Sequence, residues 1–171
     1  MNDLLISVDN ALDNKNYYAA LFISLTLPDI CGKIQFPKQS SKERYINWFN
    51  QYLRNTYIGD PPLCIPFLTG EDLYSFRCSL FHEGSEDISN QSARRILTEF
   101  VLIETGPHLN LFKDDGHGIL QINIADFCKE ICGGVKQWLN DFKDNPILVE
   151  YRSRLINIHP SGTVINGIKF G

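Results

Sequence analysis

The chain has 171 residues, 43% hydrophobic and 21% charged, enough to bury a sizeable core in one domain spanning 1–171. Its net charge of −4 excludes a protein that coats nucleic acid non-specifically, because such binding needs many lysine and arginine contacts to phosphate. Five cysteines, at 31, 64, 78, 128 and 132, read mostly as small buried hydrophobes in a reducing cytoplasm.

The opening MNDLLISVDN has no basic n-region and carries two early acids, so it reads as the start of a cytoplasmic chain rather than a secretory signal. The apolar run from Tyr17 to Leu27 is too short for a bilayer, and no membrane partner is expected. Helices are predicted over 3–13 and 15–27, with Asn14 as a cap between them. Pro28 is expected to open a separate short helix, PDICGKI, with Asp29 in its first turn. Ser41 caps a helix running to about Arg54, with Tyr45, Ile46, Trp48, Phe49 and Leu53 on its apolar side.

GDPPLCIPF holds three prolines and marks a turn. Thr69 followed by Asp72 resembles a capping box, which starts the next helix near Gly70, and Gly84 stops it. The runs ILTEFVLIE and GILQINI then suggest one antiparallel β-hairpin over about 95–124, with its turn in KDDGHG. A helix follows from about Ala125 to Phe142, weakened at Gly133 and Gly134. Asn145 and Pro146 open a last helix to about Ile158, and the tail is loop or a short strand. The predicted fold is mainly α: a helical core in 1–84, an inserted hairpin, and C-terminal helices in 125–158.

The candidate site lies in LYSFRCSLFHEG, residues 73–84. On a helical wheel Arg77 falls about 40° from Leu73, inside the sector that holds Leu73, Phe76 and Leu80. A guanidinium there needs an anionic partner. Either it pairs with an internal carboxylate such as Asp29 or Glu71, or its fork awaits a phosphate or carboxylate ligand. His82 lies about 140° round from Arg77, so one straight helix does not bring the two together.

These residues resemble the R-x4-6-H motif of HEPN domains, in a bacterial and phage-associated subgroup. Apolar Leu73 and Phe76 precede the arginine, apolar Leu80 and Phe81 precede the histidine, and LTLPDICGKI adds to the likeness. The resemblance implies a homodimeric HEPN-like bundle, active as a metal-independent endoribonuclease. In such domains a 2′-hydroxyl attacks the adjacent phosphate and leaves a 2′,3′-cyclic phosphate. Arg77 would hold the phosphate and His82 would move a proton, the two coming from different subunits. Asp29, Cys78 and Glu83 are supporting candidates; the family often has Asn, Asp or His at the place of Cys78. The resemblance also implies RNA as substrate, an antitoxin or other regulatory protein as partner, and a role in toxin–antitoxin or anti-phage systems. The alternative is a non-catalytic HEPN-like domain that binds a nucleotide, RNA or a protein, or a purely structural dimerisation domain.

Other constellations are weaker. Arg154 and Arg152 also stand at motif spacing from His159, but the first site has the family's apolar flanks and a glycine stop. Cys78 and His82 share a helix face at i and i+4, which would suit a thiol nucleophile and its base. Asp114, Asp115 and His117 are what a hairpin turn demands. Arg94 and Arg95 read as solvated, and Trp48, Phe49 and Trp138 as core or interface anchors. Cys128 and Cys132 lack a completing CxxC or histidine pair, so neither metal nor cofactor is expected.

Overall fold

The computed structural model describes residues 1–62, 64–112, 118–152 and 155–171, with Arg152 for its backbone only. It is mainly helical, with six α-helices and two small sheets among the described residues. Helix α1 (Asn2–Asp13) turns at Asn14 into α2 (Tyr17–Gln35). The cap of α2 is Asn16 rather than Asn14; its side chain accepts a hydrogen bond from the Ala19 amide.

Pro28 does not begin a new helix but sits inside α2, which runs on for 19 residues. A proline there removes one helical hydrogen bond, at a cost of about 3 kcal/mol. Leu21, Leu25 and Leu27 before it, and Cys31 and Ile34 after it, are all buried, and that packing on both sides outweighs the cost.

Helix α3 (Ser41–Tyr52) is capped by Ser40, one residue earlier than expected, in a capping box closed by Glu43. A short 3₁₀ turn, Arg54–Tyr57, follows it. Gly32 lets α3 lie close on α2: a Cβ there would stand 2.8 Å from the Arg44 carbonyl oxygen.

Helix α4 (Gly70–Glu83) begins at Thr69, whose hydroxyl accepts from the Asp72 amide, and ends at Gly84 in the left-handed conformation, both as predicted. It is tied to the sheet at both ends. The buried Asp72 carboxylate accepts the backbone amides of Arg95, Ile96 and Leu97 at 2.7–3.2 Å, fixing the entry to the first strand. Phe76 stacks on Phe100 at 4.2 Å, and the Ser79 hydroxyl donates to the Asp87 carbonyl.

The insertion is not the single antiparallel hairpin that the two β-branched runs suggested. Those runs, β1 (Leu97–Ile103) and β3 (Gly118–Asn123), lie parallel. The segment between them supplies β2 (Leu109–Phe112), antiparallel to β3, so the sheet order is β1-β3-β2 with β3 central. At four residues and mostly exposed, β2 lacks the burial signature that made its neighbours legible. The expected turn in KDDGHG, with Asp114, Asp115 and His117, lies outside the described residues.

Helix α5 (Ile124–Asp141) matches the prediction and buries Phe127, Ile131, Val135 and Trp138. Gly134, read as a weakness, is a packing position, because a Cβ would meet Leu53 at 3.0 Å. Trp48, Phe49 and Trp138 are fully buried core residues. Helix α6 (Pro146–Arg152) is shorter than expected; Ile156 and Ile158 beyond it are exposed and find no packing to extend it. The tail forms a second hairpin from β4 (Thr163–Ile165) and β5 (Ile168–Phe170). Among the described residues no helix is long and apolar enough to cross a membrane.

Candidate functional site

Arg77 emerges where α4 passes α2 and α3. Its neighbours Leu73 and Phe76 are buried, as the wheel predicts, while its own head group turns towards Asp29 in the middle of α2. One Arg77 terminal nitrogen lies 3.3 Å from Asp29 Oδ2. The other carboxylate oxygen is taken by Arg44 of α3, with its terminal nitrogen at 2.9 Å and its Nε at 3.0 Å, and by the Ser41 hydroxyl at 3.2 Å. The three charged side chains are 17–22% exposed, so the cluster sits at the rim of the core.

One carboxylate therefore holds two guanidiniums, leaving a surplus positive charge. Arg77 Nε is buried and has no hydrogen-bond partner among the described residues. The guanidinium carbon of Arg77 lies 5.3 Å from the centre of the Phe81 ring, a cation–π contact, and Phe81 in turn meets Phe22 of α2 at 5.0 Å. Asp29, Lys33 and Arg44 also line a cavity of about 270 Å³ whose apolar wall includes Ile30, Tyr151 and Leu155.

The other candidates fall elsewhere. His82 is exposed on the last turn of α4 and makes no hydrogen bond or ion pair among the described residues. Glu83, also exposed, accepts from the Gln91 side chain at 3.1 Å. Cys78 is half-buried beside Tyr74; burial, followed by the Cys78 contact, raises the tyrosine above its ordinary range. The Tyr45 hydroxyl, beneath the cluster, is pushed up strongly by burial and donates to the Leu25 carbonyl. Glu71 faces Arg95 at 3.9 Å instead of Arg77, and Arg94 donates to the Ser89 carbonyl. The second motif pairing, Arg152 or Arg154 with His159, rests on side chains outside the described residues.

Burial pushes the Cys128 and Cys132 thiols up to about 12 and about 11, which disfavours the thiolates a metal would need. Among the described residues no group of three His, Cys, Asp or Glu could hold a metal ion.

The structure thus joins Arg77 to Asp29 and adds Arg44, Ser41 and Lys33, which sequence reasoning missed. Lys33 follows Asp29 by one helical turn, the only local signal for any of them. A second cluster was also missed: the buried Tyr57 hydroxyl donates to Glu130, whose other oxygen lies 3.4 Å from His108 Nε2. It bolts the start of β2 to α5, and burial, then the Glu130 charge, raises Tyr57 well above its ordinary range. Compared with protein-family models, with curated proteins and with solved structures, the chain finds no match.

Proposed function

We propose that this chain is a HEPN-like domain that binds a phosphate-bearing ligand, a nucleotide or an RNA end, without turning it over. The observation that carries this reading is the sharing of Asp29 between Arg44 and Arg77, with a third cation, Lys33, beside Asp29 and Arg44 on the wall of the cavity of about 270 Å³. Three cations against one carboxylate leave donors and charge for a phosphate. The apolar wall with Tyr151 suits a base or ribose. The arrangement is local, which agrees with an acidic chain that does not bind nucleic acid over its whole surface.

A second reading is the metal-independent endoribonuclease, a toxin or anti-phage factor held by an antitoxin or another regulator. It is favoured by His82, which stands exposed on the last turn of α4, free to serve a composite site with Arg77 of a second copy. One assay separates the two. Labelled 5′-phosphorylated oligoribonucleotides are titrated with the chain in EDTA, and both binding and products are followed. The binding reading expects affinity to fall about tenfold or more in Arg44→Ala and Arg77→Ala. It expects no such change in His82→Ala, and intact RNA throughout. Cleavage to 2′,3′-cyclic phosphate, lost in both Arg77→Ala and His82→Ala, selects the nuclease. Neither binding nor cleavage sinks both.

A further inference from the structure

The tail of the chain is built against the ordinary logic of a soluble surface. From Ile156 onward every residue except Gly162 and Thr163 is exposed. Ile158 is 99% exposed, and Val164, Ile168 and Phe170 are each more than half exposed. The β4–β5 hairpin has two strands of three residues each and lays neither face on the core. An isolated two-stranded hairpin is marginal in water, and an apolar one is a surface waiting to be covered. Its only acid–base side chains are Lys169 and the preceding His159, with no carboxylate from Leu155 to Phe170.

At the other side of the ledger is a cavity of about 650 Å³ between the start of α2, the end of α4 and the end of β1. Its floor is apolar, with Leu21, Phe76, Leu80 and Leu102, and its polar rim carries two carboxylates, Glu86 and Glu104. Both glutamates are exposed. An apolar hairpin carrying one cation complements an apolar hollow rimmed by two anions in both respects.

We propose that the β4–β5 hairpin of one copy seats in the α2–α4–β1 cavity of a second copy, with Lys169 against Glu86 and Glu104. Exchange in both directions about a two-fold axis makes the contact reciprocal and closes the assembly. At roughly 100 Å² of apolar surface per side chain, the four exposed apolar side chains of each hairpin, Val164, Ile165, Ile168 and Phe170, on two arms with the surface they cover, fall in the range of a standard interface of about 1,200–2,000 Å². The contact also brings the second copy to Gly84 and Ser85, two and three residues after His82. The proposal is independent of any ligand at Arg77.

Sedimentation equilibrium of the 171-residue chain tests it. The wild type is expected to be a dimer, and Val164→Asp with Ile168→Asp a monomer of unchanged circular dichroism, since neither side chain is in the core. Lys169→Glu and the pair Glu86→Lys with Glu104→Lys should each weaken association about tenfold or more, and their combination should restore it. A monomeric wild type overturns the proposal, including one whose hairpin is protease-protected on its own cavity. So does a dimer indifferent to the hairpin substitutions, or one indifferent to the glutamate substitutions. Phosphate-ligand binding measured on the monomeric variant reports separately on the Arg77 site.

Discussion

Asp72 and Asp29 are both drawn largely out of water, and both are surrounded by donors, yet the two sites are built for different ends. Asp72 is fully buried, and its partners are three backbone amides and the Thr69 hydroxyl. Those donors are uncharged, fixed by the chain path and fully used, so the site stores order and offers nothing to a ligand. Asp29 stands at the rim of the core, and its partners are two guanidiniums and the Ser41 hydroxyl. Guanidiniums have more donors than one carboxylate can take, and Arg77 Nε remains unbonded among the described residues. The first arrangement is what a structural carboxylate looks like; the second is a charged group held in place with capacity to spare.

Breaking the larger of the two should therefore cost the fold, and breaking the smaller should change binding. Asp72→Ala strips the acceptor from three amides at the start of β1. The expected loss is about 3 kcal/mol or more, a fall in Tm of roughly 6–12 °C for a chain of this length, read by thermal denaturation. A Tm within a degree or two of the wild type would remove the structural reading of Asp72. Asp29→Asn should cost about 1 kcal/mol or less and tighten binding of a 5′-phosphorylated oligonucleotide several-fold, because the internal competitor for both guanidiniums loses its charge. A weaker affinity in that variant would mean that Asp29 orients the arginines rather than competing for them.

The contrast between the two aspartates also tracks what could be read from the sequence. Thr69, Asp72 and Gly84 signal the start and stop of α4 through local chemistry, within a few residues of where they act, and those boundaries held. The apolar period of α5 was legible for the same reason. Asp29 was legible as a possible partner of Arg77, but Arg44 was not, since its role depends on how closely α3 approaches α2, which Gly32 permits. Pro28 misled because a local breaker was outweighed by burial on both sides of it. The strand β2 misled in the opposite sense, as a short exposed edge with no burial pattern to read. What escaped the sequence was in each case a tertiary contact overriding or outranging the local signal.

Salt gives the finest test of the comparison, because it acts on one carboxylate and spares the other. At 1 M ionic strength the screening length is about 3 Å, against about 10 Å at 0.1 M. The Asp29 cluster is an ion cluster with 17–22% of each charged side chain in solvent, so its contribution should weaken. Asp72 is closed from solvent and bonded to neutral amides, so its contribution should not. The Tm penalty of Asp29→Asn is expected to shrink by about half between low and high salt, while that of Asp72→Ala stays constant. Equal salt responses in the two variants would erase the distinction between them, and with it the claim that the Asp29 cluster holds charge in reserve.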